Sequence, residues 1–479
     1  MANEPEQKHN EDLKHYFGFP DAAYESDMSD LFLETAEFKG LKSGDSKAGN
    51  FVVVGVKGSG KTAICRHLSE TRSSLLRLVD EQHRLVNVHA GKLGKYPQEV
   101  ESVLLNWIFG ILIQEIVTNP NRFSGAGVKL AKQLLPQMAD YLKQLAKGVK
   151  LKGGVGVGPE LELDFEKMFD ATKFKFSEFR VDRYIEPLTK CFEQSPALLL
   201  FDDIDEIFMG ADEKTYPTFI EGLIRAAKTI NLKFQNRIHF LVFLKYGTFR
   251  SFFERPRDYE KVGSYITVLQ WTEAELERVL AKRIAKRIGI SEKRPTDEIC
   301  SRVFKAETSS SIRQIRKFLF DRCQGPRDVI TFCNKAVVAV GKPEIALDTL
   351  RKCETQFSEE KLIQIYEEYG YTYPDIHELI RLCFKGAKPE YDASPFRDFV
   401  ANKVLAFDKA IARFAQEDYF ANADTDEMIL LLYRVGFIGY VLAKDDPPIF
   451  VLSHPGLEDL LEARSYFIHP AYRKYLHIT

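Results

Sequence analysis

Cysteine is sparse in this 479-residue chain, and its seven copies, at positions 65, 191, 300, 323, 333, 353 and 383, include no C-x-x-C pair. Zinc ligation and a disulfide framework are therefore not expected, and the odd count with wide spacing fits a reducing, cytoplasmic setting. Long apolar runs are missing as well. The most apolar stretch, Val103–Val117, falls short of the roughly 18 residues that span a bilayer and contains Asn106, Gln114 and Glu115. It reads as a core helix, and no membrane partner is expected. The opening Met1–Asp12 is polar and acidic, without the apolar region of a signal peptide. Excess charge of one sign is lacking too: 67 basic residues nearly cancel 69 acidic ones, for a net −2. No internal repeat or low-complexity tract is visible. What remains is the composition of an ordinary globular protein, 45% hydrophobic and 28% charged, with material for a large core and two to four domains.

Against that background one segment stands out. The apolar run Phe51–Val54 leads into Gly55-Val-Lys57-Gly58-Ser59-Gly60-Lys61-Thr62, followed by Ala63-Ile64-Cys65 and helical spacing. This is G-x-x-x-x-G-K-[ST] in its proper context, a strand, a glycine loop and a helix. Backbone N–H groups of such a loop, with the Ala63 end of the helix start, cradle phosphates at the positive helix N-terminus. Lys61 reaches the β- and γ-phosphates, and the Thr62 hydroxyl binds Mg²⁺. A second motif lies downstream. The apolar strand Ala197–Phe201 delivers Asp202 to its carboxyl end, where ligands bind in open α/β sheets, and Asp203, Asp205 and Glu206 follow. Asp202 suits the magnesium side. Asp203, Asp205 and Glu206 all compete to orient or deprotonate the attacking water, and a solvated acidic loop is the plainer alternative. The guanine motif Asn-Lys-x-Asp is not completed at Asn334-Lys335 or Asn402-Lys403, so ATP is the expected nucleotide.

Several cations are candidates for stabilising transferring charge. Lys245 ends the apolar strand Ile238–Leu244, and Arg250, Arg255 and Arg257 follow within twelve residues. Pro326 and Arg327, in Gln324-Gly-Pro-Arg-Asp328, open a helix from which Arg327 can reach phosphate. From Arg278 to Arg327 there are 14 Lys/Arg against 5 Asp/Glu, whereas residues 354–479 hold 13 against 21. An acidic C-terminal part starts with the wrong field for DNA. The lysines at 143–152 and the basic stretch remain possible nucleic-acid contacts.

Coarse organisation follows from periodicity. A helix is expected over Met28–Phe38 ending at Gly40, a strand within Arg77–Val88, and a long helix from Pro97 to Val117. Apolar residues on odd positions of Val149–Phe165, broken by Gly153-Gly154 and Gly158-Pro159, predict a β-hairpin insertion. Glu275–Ile288 is an amphipathic helix. After a helix at Glu427–Tyr433, Phe437–Leu442 and Ile449–Leu452 flank Asp445-Asp446-Pro447-Pro448 and suggest a winged-helix-like unit. The expected fold is α/β: a parallel-sheet P-loop core with an inserted hairpin and helices, a helical lid, and a C-terminal winged-helix-like domain. The expected boundaries are 1–27 for an N-terminal tail, 28–270 for the core with an insertion at about 96–180, 271–353 for the lid and 354–479 for the last domain.

Together these elements resemble the AAA+/STAND superfamily of P-loop ATPases, especially prokaryotic members near the KAP, NACHT and origin-recognition-type branches. The carriers are Gly55–Thr62, Leu198–Glu206, the strand ending at Lys245, Trp271–Leu276 and Gly325-Pro326-Arg327. More narrowly, Leu31–Gly40, the hairpin and Phe467-Ile-His469-Pro470 look like a bacterial P-loop ATPase family frequent in anti-phage defence loci. The resemblance implies the roles already given for Lys61, Thr62 and Asp202, a D-E pair at Asp205-Glu206, and a sensor arginine at Arg327. Lys245 stands where relatives usually carry Arg or Asn. The implied function is an ATP-binding and ATP-hydrolysing switch that controls its own assembly or a separate effector protein. A nucleic-acid-binding, initiator-like ATPase and an ATP-binding scaffold with negligible turnover are the alternatives.

Overall fold

In the computed structural model the described residues are 12–42, 50–71, 75–79, 96–118, 120–123, 125, 127–129, 132–133, 149–152, 160–163, 182–193, 196–202, 215–234, 237–247, 249, 263–305, 308–370, 373, 375–406, 423–444, 446–450 and 459–479. They form two compact units. The sheet unit takes residues 27–55 and 61–269. The helical unit takes residues up to 26, the loop segment 56–60 and residues 270–479.

The sheet unit opens with helices α1 (Met28–Leu31) and α2 (Ala36–Lys42). The single helix expected over Met28–Phe38 is therefore two. Phe32 leaves the helix in an extended conformation, and the Thr35 hydroxyl accepts from Phe38 N–H at 3.3 Å to begin the next. Gly40 lies within α2 rather than ending a helix. The apolar spacing has a tertiary origin: Phe32 stacks on His67 at 4.1 Å and Phe38 meets the same ring edge-on at 5.4 Å.

Strand β1 (Val52–Gly55), helix α3 (Lys61–Thr71), strand β2 (Leu75–Val79) and helix α4 (Pro97–Thr118) follow. Then come β3 (Val149–Lys152), β4 (Glu160–Leu163), α5 (Asp182–Cys191), β5 (Ala197–Asp202), α6 (Thr215–Lys233), β6 (Ile238–Lys245) and β7 (Ile266–Val268). Among the described residues seven strands make one sheet in the order β3-β4-β2-β5-β6-β1-β7. All neighbours run parallel except the β3–β4 hairpin, which joins the sheet through β4 alongside β2. β1, β5 and β6 are buried almost throughout, as the uninterrupted apolar runs of a parallel sheet require. The close approach of α4 to α6 depends on Gly222, where a Cβ would fall 2.5 Å from Val100. Asn231 of α6 pairs with both backbone groups of Phe240, fixing the helix on β6.

The helical unit contains α7 (Glu273–Ile288), α8 (Thr296–Cys300), α9 (Ser309–Phe320), α10 (Pro326–Val340) and α11 (Leu347–Tyr369). Thr272 and Glu275 form a capping box at the start of α7, and Gly289 closes it in a left-handed conformation. Leu13 and Phe17, in the stretch expected as a tail, are buried in this core. Arg283 holds that segment by donating to the Phe17 carbonyl at 2.8 Å and to Glu25 at 2.9 Å. Helix α11 runs unbroken through residues 353 and 354, where a domain boundary was expected.

The chain continues through α12 (Ile376–Cys383), β8 (Glu390–Asp392), α13 (Ala393–Phe399), a π-helical turn at Val400–Leu405, α14 (Thr425–Arg434), β9 (Ile438–Val441), β10 (Ser465–Ile468) and α15 (Pro470–Arg473). The three strands are antiparallel in the order β8-β10-β9. Of the β run expected at Ile449–Leu452, Ile449 exchanges two backbone hydrogen bonds with Tyr440; residues 451 and 452 lie outside the described residues. All seven cysteines are buried and unbridged. Among the described residues no helix is long and apolar enough to cross a membrane.

Candidate functional site

The glycine loop leaves the carboxyl end of β1, an interior strand whose Val52, Val53 and Val54 are fully buried. Gly58 and Gly60 take φ of +83° and +99°, backbone conformations that side chains disfavour. Helix α3 begins at Lys61, followed by Thr62 and Ala63. The Lys61 ammonium donates to the Gly55 carbonyl at 2.7 Å, closing the base of the loop.

The crown of the loop, Val56–Gly60, is held by the helical unit to which it belongs. Trp271 Nε1 donates to the Ser59 carbonyl at 2.8 Å. Arg327 N–H points at the Gly58 carbonyl at 3.4 Å. A Cβ on Gly58 would lie 2.7 Å from Arg327 Cβ, and one on Gly325 would lie 3.0 Å from the Gly58 oxygen. Gly325-Pro326-Arg327 is thus packed directly on the loop. Pro326 is the first residue of α10, and the Arg327 guanidinium pairs with Asp21 at 3.2 Å. Ser59 is 1% exposed, and its hydroxyl has no hydrogen-bond partner among the described residues.

Two residues absent from the sequence reading complete this grip. Lys57 N–H donates to Glu368 Oε2 at 3.0 Å, and the Lys57 ammonium pairs with Glu367 at 2.6 Å. Both acids end α11. Their signal in the sequence is electrostatic: carboxylates in the last turn of a helix oppose its dipole, and that turn has no basic residue. One turn and more upstream, Lys361 and Asp328 form a buried ion pair at 3.0 Å, each side chain 4% exposed. Gln324 and Gln364 also accept from Lys361.

In the sheet unit Asp202 ends β5 and is 2% exposed. Lys245 ends β6 and is the register partner of Gly55, so the two strands end at one level. β5 is the other neighbour of β6, with Phe201 opposite Val242, which puts Asp202 at the same carboxyl edge. Asp203, Asp205, Glu206 and Arg250 lie outside the described residues, as do Arg255 and Arg257.

Part of the basic stretch over 278–327 is held in ion pairs. Arg283 pairs with Glu25, Arg316 with Glu277 and Asp297, Arg322 with Glu354, and Arg294 with Glu298.

Residues 274–366 match the FunZ-associated C-terminal helical domain. The match runs from the start of α7 almost to the end of α11 and stops just before Glu367 and Glu368. No curated protein matches the chain.

Proposed function

We propose that this protein is an ATP-binding and ATP-hydrolysing switch built on an AAA+/STAND-like P-loop core. One observation carries the reading: β1, which ends at Gly55 of the glycine motif, and β5, which ends at the acidic Asp202, end at the same edge of one parallel sheet with only β6 between them. Loop N–H groups would bind phosphate, and Lys61 would exchange the Gly55 carbonyl for a phosphate oxygen. The Thr62 hydroxyl and the Asp202 carboxylate are hard oxygen donors of the kind Mg²⁺ takes alongside water and phosphate. Magnesium there would neutralise charge developing on the phosphates. Lys245, in register with Gly55, supplies a cation at the strand end from which the glycine motif starts. Asp203, Asp205 and Glu206 are the candidates for holding the attacking water, and Arg250 and Arg327 for meeting the phosphates.

The order helix, strand, helix, helix, strand, turn, strand over 376–468, with β10 central, supports a winged-helix reading of the C-terminal part. A packing or partner role fits it better than DNA. The helix before β9 begins Thr425-Asp426-Glu427, with Asp426 engaged by Arg397, and such acids repel phosphate. An anti-phage setting is what the resemblance implies, and the FunZ-associated segment is compatible with it.

The test is nucleotide binding by full-length protein. Wild type is expected to bind ATP with Mg²⁺ and hydrolyse it slowly, and Lys61→Ala to lose binding by a factor of a hundred or so, since a charge-assisted contact contributes about 1.5–3 kcal/mol on top of the loop's disturbed geometry. Unchanged affinity in Lys61→Ala would remove the assignment.

A further inference from the structure

We propose that Glu368 is a latch on the glycine loop: its carboxylate takes the place of a phosphate on Lys57 N–H and must leave when nucleotide binds, releasing the end of α11. The proposal rests on the nucleotide reading above and deepens it into regulation of the same loop.

Three observations point to it. First, Lys57 is gripped twice, through its N–H by Glu368 at 3.0 Å and through its ammonium by Glu367 at 2.6 Å. A carboxylate on a backbone N–H is a charge-assisted bond, and a phosphate oxygen competes for the same donor with the same sign of charge. Two anions there repel strongly away from bulk water, so they exclude one another.

Second, the acids stand where a helix disfavours them. Glu367 and Glu368 close the last turn of α11, beside its exposed carbonyls and with no compensating lysine or arginine. Both acids meet Lys57 of the loop.

Third, the same helix end faces the C-terminal part of its own unit. A small cavity of about 20 Å³, room for one water, is lined by Lys57 and Glu368 together with Lys361, Val435, Gly436 and Tyr472. Val435 and Gly436 lead into β9, and Tyr472 lies on α15. Immediately after Glu368 the helix ends at Gly370, whose N–H donates to the Tyr366 carbonyl at 2.7 Å. Release of Glu368 therefore changes what the three-stranded part packs against. The loop's phosphate state is passed to the acidic C-terminal part through one helix end. Because the binding-competent loop is only fractionally populated while latched, apparent affinity is reduced by that fraction.

The experiment titrates a fluorescent ATP analogue with Mg²⁺ into full-length wild type, Glu368→Gln, Glu368→Ala and Glu367→Gln, with circular dichroism confirming the fold. Both Glu368 variants are expected to bind about tenfold more tightly than wild type, corresponding to a loop about nine-tenths latched. Glu367→Gln, which removes only the partly exposed side-chain pair, should change affinity less than twofold. Hydrogen exchange over residues 362–376 should rise on adding ATP to wild type and stay unchanged in Lys61→Ala. Equal affinities in wild type and both Glu368 variants would overturn the latch while leaving nucleotide binding intact. An equally large gain in Glu367→Gln would also overturn it, because the effect would then be general charge rather than the N–H contact. If no variant binds nucleotide, the nucleotide reading fails and takes the latch with it.

Discussion

At the scale of single residues, His469 shows how burial sets a property that sequence alone hides. It is 6% exposed, and its Nδ1 accepts from Ala471 N–H at 3.1 Å, capping α15. Burial, reinforced by Lys361, Arg473 and Arg322, pulls its pKa from 6.5 down to about 3. The folded state therefore holds the ring neutral, while the unfolded chain takes up a proton below 6.5. Stability from this group is complete above about pH 6.5 and is lost as pH falls toward 3, at up to about 1.4 kcal/mol per pH unit. His469→Asn keeps a good capping acceptor and cannot titrate. Its melting temperature should fall less steeply than wild type between pH 6.5 and 4.5; parallel curves would show that His469 is not the group responsible. The sequence contained the His469-Pro470 pair but not its burial. Likewise Lys61 and Asp202 could be read from their motifs, because each motif is a local pattern. Glu368 could not, since its partner Lys57 is 311 residues away.

At the scale of elements, α11 is the most informative. Its placement depends on the Lys361–Asp328 pair, buried between α10 and α11. Removing one member leaves a charge without its counterion, which costs about 3–5 kcal/mol, whereas neutralising both costs much less. Lys361→Met alone should lower the urea midpoint more than the Asp328→Asn, Lys361→Met double variant does. Trp271 fluorescence in a Trp107→Phe background reads this unit. Equal losses in the single and double variants would mean that the pair is not energetically coupled. Elements with their own start and stop signals were legible in sequence. α7 has its capping box and terminal glycine, α10 its Gly-Pro start, and β5 and β6 their apolar runs. Elements without such signals were not. β8 is a three-residue edge strand with exposed ends, and β10 is paired on both sides and shows no clean alternation. The Met28–Phe38 helix failed because its period came from two rings meeting His67.

At the scale of the whole molecule, an ATP-driven switch that acts by assembly should change particle mass. Light scattering with and without ATP is expected to show a multimer with nucleotide; a constant monomer would rule out an arginine supplied in trans and direct attention to a separate effector. The parallel α/β sheet was legible from alternating strand and helix signals, while its strand order was not, since order depends on pairing between segments far apart in sequence. One consequence of that order concerns the sheet's margin. Without the β3–β4 hairpin, β2 would end the sheet, offering unpaired backbone groups along Leu75-Leu-Arg-Leu-Val79, a sticky apolar ribbon. The hairpin covers it and makes β3, Val-Lys-Leu-Lys, the outermost strand. Lys150 and Lys152 stand opposite Glu162 and Glu160, so the charges suit the intended pair, whereas a second copy of β3 offers its lysines no carboxylate. The insertion thus moves the margin of the sheet that carries the loop from an apolar strand to a lysine-bearing one.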